Sequence, residues 1–212
     1  MGIEIKKCAV LGAGVMGAQI AGHIANAGIP SLLFDINDEL AKKGVEGLTK
    51  LKPAPLFSSK NISLITACTY ENDLEKLKDC DLIIEAVAEK IEIKHSVYKS
   101  LLPHLKGDAI LASNTSGIPL ANLVEVLPEE VQARFLISHF FNPPRYLRLL
   151  ELVKGPKTSD DVYDTVTEFG ETTLGKGIVH AKDTPGFIGN RLINAGGPLT
   201  FHKALEYGLT VE

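Results

Sequence analysis

The first residues that could do chemistry are three glycines near the start of the chain. Gly12, Gly14 and Gly17 have the spacing G-x-G-x-x-G, follow an apolar run and open a helical pattern. Such a turn lets the backbone approach a pyrophosphate, which the free N–H groups and the dipole of a helix N-terminus then bind. The turn therefore predicts a dinucleotide site, with contacts from Gly12, Ala13, Gly14, Val15, Met16 and Gly17.

An acidic residue in the expected place supports this prediction. Asp35 ends the next apolar run, and an acid about 20 residues after the turn binds the ribose hydroxyls of such a cofactor. Its charge would repel a 2′-phosphate, which favours NAD over NADP. The alternative is a glycine-rich turn that has only a structural role.

A histidine and a glutamate are the candidates for chemistry on a substrate. An enzyme that oxidises an alcohol needs a base for the hydroxyl proton, and histidine suits that role near neutral pH. His139 ends an apolar run, Pro143 and Pro144 interrupt the pattern, and the next apolar run contains Glu151. A hairpin at the prolines would place Glu151 roughly opposite His139, where a carboxylate orients the imidazole. The other five histidines fit this role less well, and a structural role is the alternative for His139.

The elements that must position these residues alternate between strand and helix. This alternation predicts an α/β fold of the Rossmann type, with a doubly wound, mostly parallel sheet and helices on both faces. The predicted elements include a helix over 38–52, a strand over 62–66 and a short helix over 71–77. Ligands of such sheets bind beyond the carboxyl ends of the strands. We therefore expect one crevice, lined by residues 12–17, 35, 86–89, 113–116 and 139–142.

Composition limits the classes of protein that this chain can belong to. The chain has 212 residues, 45% of them hydrophobic, and a net charge of -4, which gives no reason to expect a nucleic-acid or acidic-membrane partner. Its three cysteines are unclustered, which suits a reducing compartment. No apolar run reaches the roughly 20 residues of a membrane span. We expect a cytoplasmic protein without a metal site.

Four further motifs carry a resemblance to a known family. The segments 113–116 (SNTS), 139–143 (HFFNP), 151–153 (ELV) and 183–191 (DTPGFIGNR) occur in this order. Together with the glycine turn and Asp35, they resemble the 3-hydroxyacyl-CoA dehydrogenases over nearly the whole chain. The resemblance implies that NAD takes a hydride from the 3-hydroxyl of an acyl-CoA, giving a 3-ketoacyl-CoA as in fatty-acid β-oxidation.

The resemblance also implies roles for individual residues. His139 would be the catalytic base and Glu151 its partner, while Ser116 and Asn190 would bind the substrate oxygen or the cofactor. The family's remaining cofactor contacts would be Glu89, Lys94 and Asn142. Local pattern alone leaves alternatives open, since Ser116 could cap a helix, and Glu89 and Lys94 could be solvated charges on a helix face.

The resemblance divides the chain into two parts. Residues 1–185 would form the NAD-binding domain, and residues 186–212 the first helix of an all-helical C-terminal domain that is truncated here. In the family that domain makes the dimer and closes the acyl pocket, so we expect a homodimer and weak activity from this chain alone. The family's lysine-bearing hairpin after Asp35 is cut short by residues 53–60. A dehydrogenase of a small free 3-hydroxy acid or sugar acid, and a non-catalytic NAD-binding protein, are therefore the alternatives.

Overall fold

Eight strands and seven α-helices make up residues 4–210, the part of the chain that the computed structural model describes. The strands are β1 (Cys8–Leu11), β2 (Ser31–Asp35), β3 (Ile65–Thr69), β4 (Leu82–Glu85), β5 (Ile110–Ser113), β6 (Phe135–Phe140), β7 (Leu149–Lys154) and β8 (Gly177–Ala181). The helices are α1 (Val15–Asn26), α2 (Asp38–Gly47), α3 (Ile91–Leu101), α4 (Leu120–Leu123), α5 (Glu129–Gln132), α6 (Asp160–Glu168) and α7 (Gly189–Glu206).

All eight strands lie in one sheet, in the order β3-β2-β1-β4-β5-β6-β7-β8. Pairing is parallel throughout except between β6 and β7, which form an antiparallel hairpin. The chain moves outward from β1 in one direction as far as β3 and then returns to pair β4 with the other side of β1. This reversal is the switch point at which doubly wound sheets bind ligands. The predicted Rossmann-type fold is confirmed.

Helices cover both faces of the sheet, as the continuous apolar strands require. Along β1, Cys8 and Val10 join one core cluster with α1 and α6, while Ala9 and Leu11 join a second cluster with α3. All four side chains are fully buried. Burial of a Val or Leu side chain contributes about 1.5–3 kcal/mol, so the two layers fix the sheet that carries the site.

Three predicted elements differ from the structure, two in where they begin or end and the third also in the type of helix. The predicted helix 38–52 ends at Gly47, because Gly44 and Gly47 are poor helix formers ahead of Pro53. The predicted strand 62–66 begins only at Ile65, where pairing with β2 starts, and a 3₁₀ segment (Ser59–Leu64) precedes it. The predicted helix 71–77 is likewise a 3₁₀ segment (Leu74–Asp79).

The last helix contrasts with the others, because none of the residues of α7 is buried. Its large apolar side chains are exposed, among them Leu192 at 68% and Leu199 at 62%.

None of the helices within residues 4–210 is long and apolar enough to cross a membrane.

Candidate active site

The glycine turn joins β1 to α1 where the backbone is most crowded. Gly12 has a φ of +102°, and a Cβ there would lie 2.7 Å from the carbonyl oxygen of Ala86. A Cβ on Gly17 would lie 1.8 Å from the carbonyl oxygen of Gly12, so a side chain at 17 would push α1 away from the turn. At Gly14, by contrast, a Cβ would meet nothing within 4 Å. This open space faces a helix N-terminus without a side-chain cap, and a pyrophosphate fits there.

Asp35 ends β2 and holds the same turn. Its Oδ2 accepts a hydrogen bond from the Ala13 amide at 2.7 Å, and its Oδ1 accepts one from the Ile36 amide at 2.7 Å. A carboxylate has about four acceptor sites, so both oxygens can bind further donors. Beside it lies an open cleft of about 350 Å³, which is lined by the turn, Asp35, residues of α2 and Leu51. Space and acceptors fit the ribose end of a dinucleotide.

His139 and Glu151 face each other directly across the β6–β7 hairpin. The predicted pairing of these two residues is confirmed. Nδ1 of His139 lies 2.8 Å from Oε2 of Glu151, and the two residues are 4% and 0% exposed. Because a carboxylate only accepts hydrogen bonds, this contact assigns the ring proton to Nδ1 and leaves Nε2 as an acceptor.

The other oxygen of Glu151 is bound by the start of α7. Oε1 accepts hydrogen bonds from the amides of Ile188 at 3.0 Å and Gly189 at 2.7 Å. Phe187, buried and with a φ of 46°, turns the chain toward this carboxylate, a conformation that costs a non-glycine residue about 1 kcal/mol or more. Sequence reasoning missed these amide donors. No sequence pattern marks them, and the need for glycine at 189, where a Cβ would lie 2.6 Å from the Phe141 ring, shows only in the structure.

Nε2 of His139 lies 3.2 Å from the Ser116 hydroxyl oxygen. The imidazole packs against two rings, with centroid distances of 4.6 Å to Phe141 and 5.5 Å to Phe187. The ring is therefore fixed by a carboxylate on one nitrogen, a hydroxyl at the other and aromatic contacts on its faces. In this arrangement Nε2 can accept a proton from a hydroxyl group placed beside it, and the Ser116 hydroxyl is close enough to contact the same oxygen.

Glu89, which follows β4, holds the loop that carries Ser116. Its Oε1 accepts hydrogen bonds from the Thr115 hydroxyl at 2.5 Å and from the Ser116 amide at 2.9 Å. Burial acts to raise the pKa of Glu89, but the Thr115 hydroxyl, the Lys94 ammonium and the Ser116 amide outweigh it and lower the pKa below its ordinary value. Glu89 is therefore a carboxylate at neutral pH and a strong acceptor for this loop.

Lys94 lies behind Glu89 rather than on an open helix face. Its side chain is 1% exposed, and its Nζ lies 2.7 Å from Oε1 of Glu85 and 3.2 Å from Oε2 of Glu89. The fully buried Glu85 accepts three more hydrogen bonds of 2.7–2.8 Å, from the amide of Val87 and the hydroxyls of Tyr98 and Ser113. Sequence reasoning missed Glu85, although a lone charge inside the apolar run 82–87 indicates a paired buried group.

Two asparagines complete the predicted set. Asn142 accepts a hydrogen bond from Gln19 at 3.1 Å, which ties the end of the hairpin to α1. Asn190 is half-buried in the first turn of α7, next to the Gly189 amide that binds Glu151. The structure thus links Ser116 to His139 and His139 to Glu151, and Asn190 follows the residue whose amide binds Glu151.

The other five histidines make their contacts elsewhere. His23 bonds the carbonyl of Leu174 in the core, and the remaining four contact Asn122 (His95), Glu75 (His104), Tyr163 (His180) and Glu206 (His202). Within residues 4–210, no three His, Cys, Asp or Glu side chains are grouped so as to hold a metal ion.

A switch-point crevice with a phosphate cradle, together with a histidine paired to a carboxylate, defines the class of Rossmann-type dehydrogenase domains. Sequence comparison identifies the family. Residues 7–184 match the NAD-binding domain of 3-hydroxyacyl-CoA dehydrogenase, and the chain belongs to this family. The resemblance and the predicted cofactor, NAD, are confirmed.

Relatives agree with this assignment. The chain is 46% identical over 215 residues to a "Probable 3-hydroxyacyl-CoA dehydrogenase" of Deinococcus radiodurans, covering 98% of this chain and 62% of that protein. It is 35% identical over 197 residues to a fatty acid oxidation complex subunit alpha of Idiomarina loihiensis, covering 90% of this chain but 27% of that protein. The crystal structure of (S)-3-hydroxybutyryl-CoA dehydrogenase from Ralstonia eutropha has a TM-score of 0.83 at 31% identity, covering 98% of this chain and 74% of the other.

Proposed function

We propose that this chain carries out the chemical step of a 3-hydroxyacyl-CoA dehydrogenase. It oxidises the 3-hydroxyl of an acyl-CoA to a 3-ketone and runs in reverse with the reduced cofactor. NAD, when bound, supplies the hydride acceptor. The observation that carries the proposal is the 2.8 Å contact of Glu151 with Nδ1 of His139, which leaves Nε2 free beside Ser116.

Proton transfer follows from this geometry. Nε2 of His139 takes the hydroxyl proton in the oxidising direction and returns it to the carbonyl oxygen in the reducing direction. The ring becomes an imidazolium, and Glu151 stabilises that charge while it holds the ring in one orientation. Two backbone amides fix Glu151 in turn, so the base is held from behind by the start of α7.

Binding of the substrate oxygen is assigned to Ser116 and Asn190. Ser116 is 3.2 Å from the base, so an oxygen bound by its hydroxyl lies within reach of Nε2. The cofactor's contacts are assigned to the turn 12–17, Asp35, Glu89 and Asn142, which lie at the carboxyl ends of β1, β2, β4 and β6. Lys94 faces the same region through Glu89.

The proposal extends to the organisation of the protein. We assign residues 1–185 to an NAD-binding domain and 186–212 to the start of a C-terminal helical region, because α7, alone among the seven α-helices within residues 4–210, has no buried residue. Its exposed apolar side chains support a homodimer formed through this region, and the three buried, free cysteines suit the cytoplasm. Sedimentation that shows monomers at all concentrations would contradict the dimer.

Turnover of matched substrates tests the function. We expect NADH oxidation with acetoacetyl-CoA, and little with free acetoacetate, which has the same reacting carbonyl but lacks CoA. Calorimetry of acetoacetyl-CoA binding is the second measurement. Turnover of free acids but not of acetoacetyl-CoA would contradict the CoA substrate and favour a dehydrogenase of free hydroxy acids. NAD binding without any turnover would favour a non-catalytic role.

Replacing Asp35 tests the cofactor site separately. Asp35→Ala removes the charged acceptor for the ribose hydroxyls, and hydrogen bonds to a charged group are worth about 1.5–3 kcal/mol. We expect the NAD dissociation constant to rise at least tenfold in calorimetry. The free energy of unfolding, followed by the melting temperature, should fall by less than the free energy of NAD binding. Unchanged affinity for NAD would show that Asp35 does not bind the cofactor. Asp38→Ala, on the exposed first turn of α2, is the control.

A further inference from the structure

A buried charge cluster lies beneath the loop that carries Ser116. Glu85 and Lys94 form an ion pair with side chains 0% and 1% exposed. The carboxylate of Glu85 accepts from an ammonium, an amide and two hydroxyls, which saturates its acceptor sites. A buried ion pair often contributes no more stability than well-packed apolar residues of the same volume. Stability alone therefore does not account for this cluster.

The contacts of the cluster run toward the site. Lys94 reaches past Glu85 to Oε2 of Glu89 at 3.2 Å, and the opposite oxygen of Glu89 binds the Thr115 hydroxyl and the Ser116 amide. Ser116 in turn contacts His139 at 3.2 Å. Glu89 is the half-exposed member of this chain of contacts, with 45% of its side chain accessible. Lys94 is the cation that holds the second oxygen of this half-exposed carboxylate.

The elements that donate to Glu85 are also those that frame the crevice. Ser113 ends β5 directly before the Ser116 loop, Tyr98 belongs to α3, and Val87 follows β4. Burial and the neighbouring Glu85 raise the pKa of Tyr98 well above its ordinary value, so it stays a phenol that can donate. Glu85 thus joins three elements at one point below the cofactor region.

We propose that Glu85 and Lys94 are positioning residues, which fix Glu89 and, through it, the Ser116 loop at the cofactor crevice. The Lys94 ammonium is bound by Glu85 and Glu89 together, so its effect on NAD is transmitted at least in part through Glu89. The proposal rests on the proposed function of Ser116 and Glu89, but its test needs no turnover.

The opposite end of β4 provides a matched control. Asp81 is 7% exposed and accepts hydrogen bonds from the Lys106 ammonium at 2.8 Å and from the amides of Lys6 and Lys7 at 2.8 and 3.1 Å. It is also a buried carboxylate with a lysine partner and several donors. It stands at the amino end of the strand, away from the crevice. Asp81→Asn reports what the loss of such a charge does to the fold alone.

A double-mutant cycle tests whether Lys94 acts through Glu89. Residues in one hydrogen-bond network couple strongly, whereas independent residues add. In calorimetry with NAD⁺, we expect Lys94→Met to raise the dissociation constant roughly tenfold, which is within the range for coupled residues. In a Glu89→Gln background, the same substitution should change it less than about twofold. An equal factor in both backgrounds would overturn the proposal and indicate a direct contact of Lys94 with the cofactor.

Amide hydrogen exchange at Ser116 provides the second measurement. Lys94→Met, Glu85→Gln and Glu89→Ala should each speed exchange of the Ser116 amide, whereas Asp81→Asn should lower the melting temperature and leave this amide and the NAD⁺ affinity unchanged. Glu89→Ala removes the oxygen that accepts from the Ser116 amide, and because Glu89 is half-exposed, this variant folds even if the buried variants do not. An unchanged Ser116 amide in Glu89→Ala would overturn the proposal. Absence of acyl-CoA turnover, in contrast, would refute the proposed function and leave these measurements valid.

Discussion

The two most deeply buried histidines, His139 and His23, have opposite surroundings. They are 4% and 6% exposed. His139 has a carboxylate on Nδ1 and a serine hydroxyl at Nε2. His23 bonds the Leu174 carbonyl with Nε2, and its Nδ1 has no hydrogen-bond partner among the described residues. Burial, aided by the Lys176 charge, lowers the pKa of His23 to about 4.

This difference shows that burial alone does not make a histidine useful for catalysis. An imidazole in an apolar site stays neutral, because its charged form loses solvation. The charged side chains that act on His23 are cations, which oppose protonation further. Glu151 places a carboxylate on His139 at a similar degree of burial, as the proposed proton transfer requires. The group that contacts the imidazole, rather than the histidine itself, therefore distinguishes the candidate site from the core.

The largest expected effect tests this contrast directly. His139→Gln should lower turnover by about 10²–10⁴-fold, the usual contribution of a positioned base and equivalent to about 3–5 kcal/mol. NAD affinity should persist, since the turn and Asp35 are untouched. Steady-state rates and calorimetry measure the two quantities. His23→Gln is the matched variant, with turnover expected within about twofold of the parent. Unchanged turnover in His139→Gln would show that His139 is not the base.

The second effect concerns stability, and its sign follows from the pKa of His23. The unfolded chain binds a proton at His23 below about pH 6.5, whereas the folded chain does so only near pH 4. Acid therefore favours unfolding in this window, by about 3 kcal/mol between pH 6.5 and 4. Urea unfolding of the parent and of His23→Gln should converge as the pH falls from 6.5. Parallel pH profiles for the two proteins would contradict this role.

The smallest effect tests the second partner of His139. Ser116→Ala removes one hydroxyl, and a single hydrogen bond contributes about 1 kcal/mol, or roughly fivefold in rate. We expect the loss in turnover with acetoacetyl-CoA, with melting temperature nearly constant. Ser138→Ala, whose hydroxyl has no partner among the described residues, controls for loss of a buried hydroxyl on β6. A loss as large as that of His139→Gln would make Ser116 more than a hydrogen-bond donor.

Short-range features were predictable because they leave a local pattern. The strand, turn, helix and second strand that end at Asp35 follow from glycine spacing and apolar runs. The pairing of His139 with Glu151 follows from two prolines and strand alternation, because a hairpin fixes its register locally. Element ends were less predictable, as at Gly47 and Ile65, since tertiary pairing decides where a strand begins.

The sequence by itself determined the class of fold, the glycine turn after β1, the position of Asp35 at the end of β2 and the pairing of His139 with Glu151, because each depends on residue type at a fixed spacing. Only the tertiary structure decided what holds them. The amides that bind Glu151 lie 37 and 38 residues further along the chain. Lys94 faces Glu85 and Glu89 rather than solvent. Such contacts depend on how helices pack over a sheet, and a lysine has the same sequence pattern whether it is solvated or buried between two carboxylates.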